Sequence, residues 1–178
     1  MNLPDIRIDQ WDNAHNPSGV RNTELSASGW IKRLDVSSSG TLDFGSINIT
    51  TSGGFAGTKL IVARPTTMGD ATTIEDLRLY IVSKTAWTTG TYNFKFKKLI
   101  HFQSGLQLIS TDDNVPITLP ASQNILNTHS GNYIQVVAES GCTQYIYLDV
   151  YADTDTAIGQ KGGPAANSFR YRLRYTFY

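Results

Sequence analysis

The residues able to do chemistry are few and scattered. His15, His101 and His129 are the 3 histidines, and each falls in a different local setting. None stands in an HxH or HExxH arrangement, the spacings that bring two imidazoles to one metal. His101, in "LIHF", reads as a half-buried strand residue. Cys142 is the single cysteine, so one chain forms neither an internal disulfide nor a cysteine metal cluster. Its setting, "ESGCTQY", reads as a turn entering a strand, with the thiol a small packed group rather than a nucleophile. There is no GxSxG elbow, no P-loop and no GxGxxG after a strand. "GGFAG" at 53–57 and "GQKGGP" at 159–164 are glycine-rich, but neither opens a helix whose amides would hold phosphate.

Carboxylates come closer to a site. "DVYADTD" supplies Asp149, Asp153 and Asp155, with "TDDN" at 111–114 and "DQWDN" at 9–13 as lesser groups. Calcium takes about six to eight oxygens from such loops, which makes Asp149, Asp153 and Asp155 the candidate metal ligands. No spacing matches the EF-hand, and Asp and Asn also favour turns for their own reasons. Beyond calcium, no cofactor is indicated. A glycosidase needs two carboxylates facing one cleft at a set separation, and the spacings here do not provide that. The chain therefore reads as non-enzymatic. Trp11, Trp30 and Trp87 lie beside polar residues or turns and are candidates for stacking on a sugar ring. The plainer reading is that each plugs the edge of a core.

What must position these residues is a single domain's worth of chain, at 178 residues. Lys plus Arg and Asp plus Glu balance at 15 each, so no net charge draws the chain to nucleic acid or an anionic membrane. Charged residues are 17 % of the chain, against about 25 % in soluble domains generally. Thr, Ser, Asn and Gly carry the surface instead. "MNLPDIRIDQWDNAH" lacks the basic-then-apolar pattern of a signal peptide. No stretch approaches the roughly 18 apolar residues of a membrane helix. With Met1 native, synthesis in the cytoplasm is expected.

Alternation between turn clusters recurs along the chain, which is the strand pattern. It predicts strands in "GWIKRLDVS" (29–37), "TLDFGSINI" (41–49, with a bulge at Gly45-Ser46), "KLIVAR" (59–64) and "EDLRLYIVS" (75–83). Further strands are expected in "GTYNFKFKKLIHF" (90–102, slipping phase at Lys97-Lys98), "NYIQVVA" (132–138) and "QYIYLDVY" (144–151), the last two as a hairpin. One short helix is expected at "SQNIL" (122–126). About eight strands joined by long crossing loops predict an all-β, single-domain, two-sheet β-sandwich of jelly-roll or immunoglobulin-like type. Residues 1–24 read as an N-terminal arm, ordered against a neighbour, or an extended segment, and 25–178 as the sandwich domain.

"SFRYRLRYTFY", 168–178, alternates most strictly: Phe169, Tyr171, Leu173, Tyr175 and Phe177 on one side, Arg170, Arg172 and Arg174 on the other. The aromatic side belongs in the core. The arginine side is either a solvated, cross-strand-paired face or a contact surface. Its expected neighbour is 144–151, with Tyr145 and Tyr147 joining the arginines in a candidate interface.

"SGTLDFGSINITTSGGFAGTKLIVAR" resembles the opening strands of immunoglobulin-like surface and virion domains. "IEDLRLYIVSKTAWTTGTYNFKF" resembles their middle strands, and "FRYRLRYTFY" a closing strand. The resemblance covers roughly half the chain and carries no catalytic motif. Together with the neutral charge and the single cysteine, it implies a phage or archaeal-virus particle protein. Such a protein is a non-enzymatic capsid, decoration or tail component, located in a virion or similar extracellular assembly. Its partners would be copies of itself as a homo-oligomer and other virion proteins, without nucleic acid or membrane. The alternative is a carbohydrate-binding module or adhesin head whose partner is a glycan.

Overall fold

A computed structural model describes residues 2–11, 30–33, 44, 47–84, 92–99, 103, 105–125, 143–154 and 169–178. The side chains at 7, 9–11, 30–33, 64–66, 83–84, 92 and 169–170 lie outside that description. Within it the chain is all-β. The strands are β1 (Asp5–Trp11), β2 (Trp30–Arg33), β3 (Gly54–Phe55), β4 (Lys59–Thr67), β5 (Ile74–Lys84), β6 (Tyr92–Leu99), β7 (Asp113–Asn114), β8 (Tyr145–Ala152) and β9 (Phe169–Phe177). A 7-stranded sheet runs β2-β1-β4-β8-β6-β7, with β3 also on β8, and a 2-stranded sheet pairs β5 with β9. All pairings are antiparallel. Among the described residues no helix is long and apolar enough to cross a membrane.

β8 occupies the middle of the large sheet and is buried on both faces. Ile146, Leu148 and Val150 join Ile61, Phe94 and Phe96 in one apolar cluster, together with Ile74, Leu77, Leu79 and Ile81 of β5. Tyr171, Leu173, Tyr175 and Phe177 of β9 pack half-buried against that cluster. On the other face Tyr145 and Tyr147 join Leu60 and Val62, and Leu106 and Leu108 from the 103–108 segment cover them. Each such large side chain is worth roughly 1.5–3 kcal/mol on burial.

The two-faced burial explains the irregularity in 90–102. β6 pairs with β8 without a register break from Tyr92↔Ala152 to Leu99↔Tyr145. Phe94 and Phe96 face the first cluster, and Leu99 packs against the second. Strict alternation is kept, and what changes is which face is covered.

Three expectations need correction. β9 does not neighbour 144–151, because β6 takes one edge of β8 while β4 and β3 take the other. Its partner is β5, in the register Leu79↔Leu173. Residues 5–11 are extended within the large sheet: β1 is paired on both sides, by β2 and β4, and Ile6 and Ile8 pack on the first cluster. Residues 47–49 and 122–125 are neither strand nor helix. Strand β4 runs through Pro65 to Thr67, with the register shift between Asp5 and Ile6 accommodating the proline. The arm's remainder at 12–24 and the strand expected at 132–138 lie outside the described residues.

Asn2 and Tyr178 both bond to the turn between β4 and β5. The Asn2 amide donates to Asp70 Oδ2 at 2.7 Å, and the Asp70 amide donates to the Asn2 carbonyl at 2.9 Å. The Tyr178 carbonyl accepts from the Thr72 amide at 2.5 Å and from Thr72 Oγ1 at 3.1 Å. Gly69 has φ +58, and a side chain there would collide with the Asn2 carbonyl.

Candidate functional site

The arginine face is built by the pairing of β5 with β9. Leu77, Leu79 and Ile81 are buried in the first cluster, so Arg78 and Tyr80 stand on the opposite side of β5. The register carries Arg78 opposite Arg174 and Tyr80 opposite Arg172. Arg172 and Arg174 are exposed, whereas Tyr171, Leu173 and Tyr175 are half-buried against the core, which is the predicted register. Arg170 lies opposite Ser83, and its side chain is outside the described set.

A bulge brings in a carboxylate. Between Glu75↔Thr176 and Arg78↔Arg174 strand β5 carries one extra residue, and Asp76 adopts φ 53 there. Aspartate tolerates that left-handed backbone better than most residues. The bulge turns Asp76 onto Arg78, which donates from Nε to Oδ1 at 2.9 Å and from Nη2 to Oδ2 at 2.6 Å. Arg78 Nη1 donates to the Pro120 carbonyl at 2.8 Å. The hydrogen bonds from Arg78 hold the Asp76 carboxyl below the usual range; partial desolvation opposes this, and the charges of Arg78 and then Arg174 add to it. The same pairing with Asp76 raises the Arg78 guanidinium.

Arg78 is therefore neutralised and its neighbours are not. Among the described residues neither Arg172 nor Arg174 makes an ion pair, and Asp76 is occupied bidentately. Like charges directly opposite one another destabilise a strand pair.

The face has an apolar rim. Val82, the extra residue at the second bulge of β5, is 39 % exposed. Along the outer edge of β5 runs the 116–125 segment, exposing Ile117 at 57 % and Leu119 at 39 %. The Ile81 amide donates to the Pro116 carbonyl at 2.8 Å. Asn124 acts as a substitute strand: its Oδ1 accepts from the Leu79 amide, and its Nδ2 donates to the Leu79 carbonyl, each at 2.8 Å. The Asn124 and Ile125 amides donate to the Leu77 carbonyl at 3.1 and 3.2 Å. These bonds satisfy the backbone that an edge strand would otherwise present.

The other candidates do not join this face. Tyr145 and Tyr147 are buried on the far side of β8, where the Tyr147 hydroxyl donates to the Gln103 carbonyl at 2.9 Å and accepts its amide at 2.7 Å. Burial pushes the Tyr147 hydroxyl up, opposed by the Gln103 bond.

Asp149 is fully buried opposite the gap between β3 and β4, where the segment joining those strands leaves the ladder. Its Oδ1 accepts from the Gly57 and Val150 amides at 2.9 and 2.7 Å, and its Oδ2 from Thr58 Oγ1 at 3.0 Å. Both oxygens are thus bound by the protein's own donors, and the side chain fills in for missing ladder bonds. Asp153 accepts from the Thr154 amide at 2.7 Å, and Asp155 lies outside the described residues. Among the described residues no three His, Cys, Asp or Glu converge on a metal position.

Trp11 and Trp30 are register partners across β1 and β2, and Trp87 is outside the described set, as are all three histidines and Cys142. Asp76, Val82, Ile117 and Leu119 were not among the candidates. The alternation of 75–83 placed Arg78 on the polar side, but the bulge that aims Asp76 at it has no local pattern. Comparison with protein-family models, with curated proteins and with solved structures gives no match.

Proposed function

We propose that this chain is a non-enzymatic structural protein, the self-associating subunit of a virion or similar extracellular assembly. The arginine face of β5 and β9 is its contact surface. The observation that carries this reading is the pair Arg172 and Arg174, exposed side by side on a strand with Arg78 already opposite and its single bulge carboxylate already used. Placing like charges there costs stability in the isolated chain, and a partner's carboxylates offset that cost. Arginine beside exposed aliphatic residues is also the composition of protein interfaces. The two sheets are read as a β-sandwich of jelly-roll or immunoglobulin-like type, supported by one apolar cluster that draws on both. Size-exclusion chromatography with light scattering tests the proposal: oligomers that grow with concentration are expected, and a monomer at every concentration would refute it.

A second reading is a glycan-binding head. It is favoured by the Trp11↔Trp30 register pair, two tryptophan positions on neighbouring strands. A monomer that binds on a glycan array would support it over assembly.

A further inference from the structure

We infer that the occupant of the arginine face is the 109–113 tip of a second copy of this chain. It would deliver the Asp113 carboxylate to Arg172 and Arg174 and the Ile109 side chain to the apolar rim. This inference rests on the proposed self-association and names the surface that completes it.

The face asks for a partner with two features. Two exposed guanidiniums on alternate residues of one strand call for carboxylate, which arginine pairs with through its planar fork. Val82 of β5, and Ile117 and Leu119 on the segment that Arg78 joins through the Pro120 carbonyl, call for an apolar group, which a nucleic-acid backbone does not present. A chain with 15 basic and 15 acidic residues carries the complement of its own arginines.

Most of the described carboxylates are committed elsewhere. Asp76 is held by Arg78, Asp149 by Gly57 and Thr58, and Asp70 by Asn2. Asp112 lies 3.4 Å from Lys97 Nζ. Glu75 sits on β5 itself, beside the arginines rather than across from them. Asp113 is exposed and makes no ion pair among the described residues.

Ile109, four residues before it, is 56 % exposed. The tip carrying both is closed by hydrogen bonds. The Asp112 amide donates to the Ile109 carbonyl at 3.0 Å, and the Ile109 amide donates to Asp112 Oδ2 at 2.8 Å. Lys95 Nζ donates to the Asp112 carbonyl at 2.9 Å, and Asp113 is paired with Phe96 in the β6–β7 ladder. An exposed carboxylate and an exposed aliphatic group thus lie on one hydrogen-bonded tip, with little backbone left to order on binding.

Charge-swap complementation by sedimentation velocity tests this. The proteins are the wild type, Arg172→Asp/Arg174→Asp, Asp113→Arg and Ile109→Ser, each first checked for native circular dichroism and melting. Expected are an assembled wild type, monomers for each variant alone, and recovered mixed oligomers when the arginine-swap and Asp113→Arg proteins are combined. A wild type that stays monomeric overturns the self-association reading together with this inference. An assembled wild type whose arginine swap is monomeric, while Asp113→Arg and Ile109→Ser assemble normally, overturns this inference alone and assigns the face to another occupant. Failure of the mixture to recover also overturns it. Should Asp113→Arg not fold, Asp113→Asn takes its place, with a rise of tenfold or more in the dissociation constant expected and an unchanged constant contradicting it.

Discussion

Arg78 and Arg174 are direct partners across the β5–β9 ladder, yet among the described residues only Arg78 has a carboxylate bound to it. Asp76 reaches Arg78 because the bulge tips the backbone into φ 53, and the guanidinium then closes both carboxylate oxygens at 2.6 and 2.9 Å. The asymmetry leaves Arg172 and Arg174 exposed on β9, beside a half-buried Arg78 and a buried Tyr80 on β5.

Asp76 makes acid stability depend on this pair. Its folded pKa is depressed, so its contribution is present above the unfolded aspartate value of about 4 and is lost as pH falls through the folded value. Urea unfolding of wild type and Asp76→Asn should show the wild type more stable at neutral pH and the two converging in acid. A pH-independent difference would contradict the linkage.

The alkaline side has its own device. Burial raises the Tyr171 hydroxyl well above the ordinary tyrosine value, and the Asp149 carboxylate adds to the shift. Burial raises Tyr175 likewise, with Asp5 contributing. A raised folded pKa stabilises fully below the unfolded value of about 10 and loses that contribution as pH rises through the folded value. Stability should fall above about pH 10, and Tyr171→Phe should fall less steeply over the same interval. Identical slopes from urea midpoints would contradict the assignment.

Asn124 closes the edge of β5. Asn124→Ala leaves the Leu79 amide and carbonyl without that partner, which should cost about 1–3 kcal/mol. Urea denaturation measures it, and a loss below about 0.5 kcal/mol, the scale of a neutral surface change, would show the edge closed by something else.

Strand β1 is part of the fold. Deleting residues 2–11 removes a strand paired on both sides and strips Ile6 and Ile8 from the first cluster. Circular dichroism should show loss of cooperative melting; a deletion that melts like the full chain would return this segment to the status of an arm.

The strands of 75–83 and 168–178 were legible from strict alternation, because one buried face fixes the side of every residue, whereas the equally alternating 5–9 was not read as a strand. Strand β8 misled for the opposite reason. Tyr145, Tyr147 and Asp149 alternate with Ile146, Leu148 and Val150 as if facing water, and the second covering layer comes from Leu106 and Leu108, some 40 residues away. Partner choice was equally hidden: β9 seeks β5 because both edges of β8 are filled, a global fact that no local run of residues contains. At the site, the arginines were readable from their period of two. The carboxylate was not, since it arrives through a bulge, and the rim was not, since Ile117 and Leu119 belong to a segment without periodicity.

The contact role of the arginine face is tested most directly by sedimentation velocity of the wild type against Arg172→Glu/Arg174→Glu across a salt series. The predicted result is a wild-type oligomer that weakens as salt screens the pairing, and a variant that folds normally but sediments as a monomer throughout. A folded variant that assembles as the wild type does, with the same salt dependence, would contradict it.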